Sequence, residues 1–459
     1  MTLTDSVLNE LREIVGAEWV LTAPEDMLCY AYDGTFSEGH PDAVVLPASV
    51  PEVQAIVRLA NRERIPIIPR GMGSGLAGAT VPFEGGIVVT LTRMNHILEI
   101  DPVDMVAVVE AGVITGDLQS EVEAKGLFFP PDPSSLKHCT IGGNVACNAG
   151  GPRCLKYGVT RDYVMAIQVV LADGRVMRVG TRTAKNATGY SLSHLFISSE
   201  GTLGIVTEVT LRLLPLPRSV QTALAVFPRL SDASETVTAV LQAGIRPVTL
   251  ELMDETAIRC VEDYLHLGLP LDAEAILLIE CDGEESQVAS EIASVARLCQ
   301  EHGASVKTAS AKKDRDDLWR ARRAISGSLA RQRPNKLGED IVVPRHAIPA
   351  MVARLKEISR EFDVPIVIFG HAGDGNLHPN MLFDRRNPEE WARVQKCTAA
   401  IFEASVELGG TLSGEHGVGT LKRPYMSMAM DPVALETMKV IKQALDPLDI
   451  LNPGKVVTE

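Results

Sequence analysis

Residues 69–80 read PRGMGSGLAGAT, and the stretch directly after them decides what this chain can fold into. Gly73 to Gly78, GSGLAG, matches the G-x-G-x-x-G pattern of a dinucleotide-binding βαβ unit. That pattern works only where a strand turns straight into a helix whose N-terminus faces a pyrophosphate. Here Pro82, Gly85 and Gly86 come almost at once, and then the strand-like run IVVTLT. No helix fits between them, so a Rossmann domain is excluded. Glycines at 71, 73, 75 and 78 still free successive backbone N–H groups to point inward as an anion nest, with no Cβ to block close approach. A pyrophosphate suits such a cradle. A glycine-rich turn packed for steric reasons is the other reading of the stretch.

From about 43 to 215 the chain alternates short strands with glycine-rich turns and has few helices. One helix is well marked: in SVPEVQAIVRLANRE, Ser49 and Glu52 make a capping box and Pro51 occupies the first turn. Strands are expected at PIIPR, GIVVTLT, MVAVVEAG, AIQVVLAD and GIVTEVTLRLL. Two further stretches, PPDPSSLKHCTIGGNVACNAGG (130–151) and SSEGTLGIVTEV (198–209), carry small and polar residues without helix or strand periodicity. Long loops inside a compact domain are usually functional, and with 69–80 these make three segments suited to lie along an extended cofactor. LPLPRS (214–219) reads as a hinge. Beyond 220, strands (TALAVFP, VTLELMD, AILLIECDG, EDIVVP, PIVIFGH) alternate with helices (ASETVTAVLQAG, SQVASEIASVARLCQEHG, IPAMVARLKEISREF). That rhythm predicts an α+β or α/β second domain. The last segment is too short to be a domain and is expected to dock back on the first.

Composition narrows the function classes. At 459 residues, 46% hydrophobic and 22% charged, the chain is of ordinary globular make-up and long enough for two or three domains. No apolar run approaches the roughly 20 residues that span a bilayer. The N-terminus MTLTDSVLNELREIV has acids where a signal peptide would carry lysine, which leaves the cytoplasm as the expected location, at the membrane only through a partner. A net charge of −15 argues against nucleic acid. The eight cysteines include no C-x-x-C pair, which argues against a zinc ribbon or an iron–sulfur cluster and for reduced thiols.

FGHAGDGNLHPN (369–380) carries His371 and His378 in a glycine-rich setting at the end of a strand. Seven positions rise about 10 Å on a helix, too far for one metal ion. On a single strand an odd offset puts the two on opposite faces. Only a chain that folds back can bring both imidazoles together, and Gly370, Gly373 and Gly375 permit that. SGEHGVG (413–419) adds Glu415 beside His416; adjacent side chains diverge, so one can bind a metal while the other faces a substrate. Two histidines and a carboxylate suit Zn²⁺, Mn²⁺ or Fe²⁺. Each histidine alone reads equally as a hydrogen-bonded core residue. Arg320, Arg322 and Arg323 fall on a predicted helix, as substrate-binding cations or as solvated ones. Asn376 is placed to steady the site, and Asp374 to do the same or to cap the turn.

The ordered set PRGMGSGLAGAT, PPDPSS, TIGGNVACNAGG…LKYGVTRDYV, EGTLGIVTEVTLRLLP, GHAGDGNLHP, SGEHGVG and LDPLDILNPGK resembles the FAD-linked 2-hydroxyacid dehydrogenases of the vanillyl-alcohol-oxidase flavoprotein superfamily. Within it, the resemblance is to the glycolate oxidase D-subunit and D-lactate dehydrogenase branch, from about residue 20 to 457. It implies an α+β fold: a two-subdomain FAD-binding domain of the PCMH type at 1–217, an α/β cap with a ferredoxin-like sheet at 218–410, and a C-terminal segment, 411–459, that carries Glu415 and His416 and docks on the FAD domain. It identifies the cofactor as FAD, on Pro69, Arg70, Gly71, Gly73, Ser74, Gly75, Leu76, Gly78, Pro131, Asp132, Ser134, Ser135, Gly142, Gly143, Asn144, Gly204, Ile205 and Asn452. It implies a divalent metal on His371, His378 and Glu415, with His416 as the base. Arg322, and less directly Lys336, match positions that bind the substrate carboxylate.

The expected reaction is the oxidation of D-lactate or glycolate to the 2-oxo acid. The substrate would chelate the metal, which acidifies its hydroxyl; His416 would remove the proton, and the Cα hydride would go to flavin N5. With no cluster cysteines of its own, the chain would pass electrons to a sister flavin subunit, an iron–sulfur subunit, an electron-transfer flavoprotein or a quinone; a homodimer is compatible with this. The alternatives are a D-2-hydroxyglutarate-type dehydrogenase, which needs a further cation, and a non-catalytic electron-transfer flavin subunit, which would be expected to lack the metal set. The glycine loops disfavour a flavin-free metal hydrolase.

Overall fold

The structure is a computed structural model that describes residues 3–457. Its backbone divides into two compact units. One comprises residues up to Gly150, Val159–Leu216 and Glu415 onward; the other comprises Gly151–Gly158 and Pro217–Gly414.

In the first unit the helix Val50–Glu63 forms where the sequence marks it. The Ser49 hydroxyl accepts the Glu52 N–H, and the Glu52 carboxylate accepts the Ala48 N–H at 2.8 Å, so each side chain satisfies a backbone donor where the helix starts. Val53, Ile56, Val57 and Ala60 recur at helical spacing and are fully buried. They share a core with the helix Asp5–Val15 and with Val45, Ile67, Ile87 and Val89 of a four-stranded sheet. Its strands run in the order Val20–Leu21, Ala43–Val45, Ile87–Thr90, Ile67–Arg70, the last three mutually parallel. At its edge the Ile67 N–H donates to the Ile450 carbonyl and the Asn452 N–H to the Ile67 carbonyl, both at 2.7 Å, so the C-terminal stretch covers that edge. After the glycine loop the chain turns directly into Ile87–Thr90, with no intervening helix.

A second, antiparallel sheet orders its strands Ile97–Asp101, Val106–Glu110, Ile205–Arg212, Val164–Val170, Val176–Gly180. One expectation is corrected here. The 130–151 stretch, expected to be loop throughout, contains the helix Ile141–Cys147. Two glycines hide its propensity, but Thr140 caps it by accepting the Gly143 N–H, and Ile141 and Val145 are buried.

The second unit is one antiparallel sheet with helices. Its strand order is Ser305–Ala309, Ser219–Phe227, Ala275–Gly283, Thr249–Asp254, Ile366–His371, Asn376–Phe383, Asn335–Gly338, and Ile341–Val342 also pairs with Asn376–Phe383. By chain order the first four strands are placed 4-1-3-2, the split βαβ arrangement of a ferredoxin-like sheet. The helices Glu255–Leu265 and Lys312–Leu329 bury Ile258, Val261, Ile325 and Leu329 against Met253, Ile276, Val367, Phe369 and Leu382 on one face. The stretch Gly151–Gly158 belongs to this unit because Lys156 and Tyr157 both bind the Asp282 carboxylate, at 2.5 and 2.8 Å.

Candidate active site

Strand periodicity and one turn build the histidine site. Val367, Phe369 and His371 alternate onto the face covered by the two helices, because strand side chains repeat every second residue. The chain reverses over Ala372–Gly375, where Gly375 takes φ +87° and the Asp374 carboxylate accepts the Asn376 N–H. Asp374 therefore caps the turn. On the returning strand His378 pairs with Phe369 and Asn376 with His371, so all four share that face. The rings of His371 and His378 lie edge to face with centroids 5.1 Å apart, and both residues are buried. The chain folds back as the spacing of the two histidines requires, and His378 stands in a strand buried along its whole length.

Buried carboxylates surround the pair. Glu251, in register with His371 on the neighbouring strand, contacts His371 Nδ1 through Oε1 at 2.6 Å and accepts the Arg322 Nε–H through Oε2 at 2.6 Å. Burial pushes the Glu251 carboxyl up, but His371 and Arg322 together outweigh it and hold it below its ordinary value. Asp340 lies with Oδ1 3.8 Å from His378 Nδ1; it accepts from Asn376 Nδ2 at 2.7 Å and from the Ser413 hydroxyl and Gly414 N–H at 2.9 Å. Of the four arginines on the 312–329 helix, Arg322 is the buried one, and its guanidinium lies 5.0 Å from the Phe369 ring centre. Arg320 and Arg323 are exposed. Lys336, in register with Leu382, donates to the Ser326 hydroxyl one helical turn beyond Arg322, and burial lowers its pKa.

The first unit holds the residues expected to contact FAD, and its glycine loop fits a pyrophosphate. Pro69 and Arg70 end the 67–70 strand, and from Met72 to Ala77 no backbone N–H has a protein acceptor among the described residues. Such a row of donors suits a pyrophosphate. A Cβ on Gly71 would meet the Thr140 hydroxyl, so the TIGG stretch with Gly142, Gly143 and Asn144 lies directly against the loop. Ile205 opens a central strand directly after Gly204. Asn452 donates through Nδ2 to the carbonyls of Ala79 and Glu200, while its buried Oδ1 has no protein partner among the described residues. Two expected contacts are committed elsewhere. The Gly78 N–H leaves the nest and donates to the Asp33 carboxylate at 3.0 Å. The Arg70 guanidinium is buried on the Tyr32 carbonyl and the Thr80 hydroxyl. The Asn144 amide donates to the Thr115 hydroxyl, and the Pro131 carbonyl accepts from Gln119. The Pro133 carbonyl accepts the Leu136 N–H and closes a turn that includes Ser134 and Ser135, with Asp132 directly before it.

Glu415 and His416 lie where the chain re-enters the first unit, in a stretch without helix or strand. Asp340, His378, Glu415 and His416 all carry atoms able to ligate a metal ion. The turn after His416 is held by Glu200, whose buried carboxylate accepts the N–H groups of Val418 at 2.6 Å and Gly419 at 2.8 Å. Glu200, Glu251 and Asp340 are absent from the reading of the sequence. The first two had a visible signal: a glutamate inside the apolar strand VTLELMD, and one inside a glycine-rich turn, are charges in places where charge is costly unless paired.

The chain resembles known proteins over nearly its whole length. Residues 41–180 match the FAD binding domain model, and residues 216–456 match the model of the C-terminal domain of FAD linked oxidases. The glycolate oxidase subunit GlcD of Bacillus subtilis (strain 168) is 45% identical over 456 residues, 99% of this chain and 97% of that protein. The D-lactate dehydrogenase of Anaerostipes hadrus is 36% identical, over 99% of this chain and 98% of its own length. Among solved structures, p-cresol methylhydroxylase with substrate bound superposes with a TM-score of 0.82 at 20% identity, covering 98% of this chain and 96% of that one, a likeness of fold alone. With its glycine cradle, its antiparallel cap sheet and both family models matched, the chain belongs to the FAD-linked oxidases.

Proposed function

We propose that the protein oxidises a small D-2-hydroxy acid, D-lactate or glycolate, to the 2-oxo acid and passes the electrons to a protein partner or a quinone. The observation that carries this reading is the His371–His378 pair with Glu251 on Nδ1 of His371. A carboxylate on one ring nitrogen fixes the imidazole so that the other nitrogen is presented as a metal ligand. On this reading His371, His378 and Glu415 hold a zinc, manganese or iron ion, and Asp340 adds a carboxylate beside His378. Bound FAD supplies the two-electron acceptor, and the metal supplies a Lewis acid.

The chain's own residues do the rest. Arg322 is anchored through Nε on Glu251 and offers the far side of its guanidinium to the substrate carboxylate. Asn376 keeps Asp340 in place, and His416 takes the hydroxyl proton, a role suited to an imidazole near neutral pH. The relatives named as subunits support a partner protein as acceptor. No helix among the described residues is long and apolar enough to cross a membrane. A cytoplasmic location, at the membrane only through a partner, remains part of the reading.

Lys336 favours a second reading. A cation one helical turn beyond Arg322 is what a second substrate carboxylate would need, as in D-2-hydroxyglutarate. One anaerobic experiment separates these readings. The flavin absorbance of the purified protein is followed after adding D-lactate, glycolate or D-2-hydroxyglutarate. Bleaching by either small acid supports the first reading, and bleaching by the dicarboxylate alone supports the second. A yellow protein that none of them bleaches refutes both. His416→Ala is expected to stay yellow and to bleach at least about a hundredfold more slowly; bleaching at the wild-type rate would remove His416 as the base.

A further inference from the structure

We infer that Glu200 is a positioning residue for His416: its carboxylate fixes the turn after the histidine and so sets where the imidazole points during proton removal. The inference rests on the reading of His416 as the base.

The stretch GEHGVGT has glycines at 414, 417 and 419 and belongs to no helix or strand, so it is costly in entropy to hold in one conformation. Backbone carbonyls order its far end: the Thr420 and Leu421 N–H groups donate to Ala77, and the Val456 N–H donates to Gly419. Nearer the histidine, the Glu200 side chain also holds the turn. The Val418 and Gly419 N–H groups, two and three residues past His416, converge on the Glu200 carboxylate. Hydrogen bonds to an ionised acceptor are the strong kind. The fit is close, because a Cβ on Gly417 would lie 2.6 Å from Glu200 Oε1.

Glu200 is itself rigidly held. It takes φ +51°, a left-handed conformation that a non-glycine residue keeps only where its surroundings impose it. Its N–H donates to the Ala146 carbonyl, at the end of the helix Ile141–Cys147, and its carbonyl accepts from Asn452. A support this heavily tied suits a residue that must aim another. The charged and titratable groups facing Glu200 are Lys422, Lys455 and the Cys147 thiol. Burial raises the Glu200 carboxyl to about 7 in spite of the two N–H donors and the lysines. The grip on the turn therefore weakens with protonation in the same range in which an imidazole titrates.

The test combines a structural and a kinetic readout on the full chain. In Glu200→Ala, hydrogen exchange at the Val418 and Gly419 amides is expected to accelerate at least about tenfold, with or without flavin bound. The rate of flavin reduction is expected to fall roughly ten- to hundredfold, KM staying within about twofold, because misplacing a catalytic group costs rate more than binding. In a His416→Ala background the same substitution should add no further loss, since a residue that acts through His416 has nothing left to aim. Unchanged amide exchange, or an equal loss in both backgrounds, overturns the inference. If Glu200→Ala does not fold or loses flavin, the isosteric Glu200→Gln decides by the same criteria. A His416→Ala enzyme with wild-type reduction would defeat the base reading instead, and the amide exchange would still report whether Glu200 holds the turn.

Discussion

Glu200 in the first unit and Glu251 in the second are both buried, at 4% and 0% exposure, yet their surroundings push them in opposite directions. Glu200 faces two backbone N–H groups, with Lys422 and Lys455 beyond them, and burial still wins, raising its pKa to about 7. Glu251 faces the His371 ring and the Arg322 guanidinium in direct contact, and they overcome a desolvation that is just as complete. Backbone dipoles and more distant charges do not offset the loss of water around a carboxylate, whereas a guanidinium and an imidazole in direct contact do. The two units use charge accordingly. The first shapes a cradle from glycine and backbone, and the Glu200 carboxylate beside it is left partly unbalanced. The second builds its site from buried charges that balance one another.

The largest effect expected from that contrast is at Glu251. Glu251→Ala removes the acceptor that Arg322 and His371 share and leaves a buried cation without its partner. Breaking a buried pair from one side costs about 3–5 kcal/mol. Trp319 and Trp391 both lie in the second unit, so urea unfolding followed by their fluorescence reads the loss there. A loss below about 1 kcal/mol would mean that the three groups are not energetically coupled, and the contrast with Glu200 would collapse.

A somewhat smaller effect is expected at Glu200 and is seen as a pH dependence. Its folded pKa of about 7 lies above its ordinary value of 4.5. Between those values the folded state keeps a proton that the unfolded chain has released. Stability from this group therefore falls as pH rises through the window; the cost is absent below about 4.5 and complete above about 7. At up to about 1.4 kcal/mol per pH unit, the whole swing is at most roughly 3–4 kcal/mol. Glu200→Gln removes the ionisation, so the stability difference between variant and wild type should shift in favour of the variant as pH rises from about 5 to about 8. Trp19, in the first unit, reports it. A difference that stays flat across that range would show that the N–H donors and lysines do balance the carboxylate after all.

This contrast also marks where the sequence was legible. The glycine loop excluded a Rossmann domain through Pro82, Gly85 and Gly86, local features that act through local backbone geometry. His371 and His378 were legible as a pair because period-2 geometry leaves folding back as the only way to join them, and the hairpin does so. The helix at 141–147 was not legible, since its stability comes from a Thr140 cap and tertiary burial that two glycines conceal. Glu251 and Asp340 were missed for a different reason. Each reaches the site through strand pairing, Glu251 opposite His371 and Asp340 beside the strand that pairs with Asn376–Phe383, and such register is invisible in a single strand's residues. Glu200 stands in a motif the sequence displays, but its role depends on a turn far away in the chain, which spacing does not reveal.

The smallest effect sharpens the comparison by pressing on Glu200 from the other side. Gly417 takes φ +82°, and an added Cβ would stand 2.6 Å from Glu200 Oε1. The left-handed backbone alone makes alanine cost about 1 kcal/mol. At Gly126, with φ +75° and nothing within 4 Å of a new Cβ, that should be the whole cost. At Gly417 the outcome depends on whether Glu200 can move aside. A carboxylate loosely held would swing away, and Gly417→Ala would cost no more than Gly126→Ala. A carboxylate held by two N–H groups and by its own strained backbone resists, and the cost rises to about 2 kcal/mol. The difference between the two alanine variants in thermal unfolding thus measures how firmly Glu200 is held, and a difference near zero would remove the rigidity on which its positioning of His416 depends.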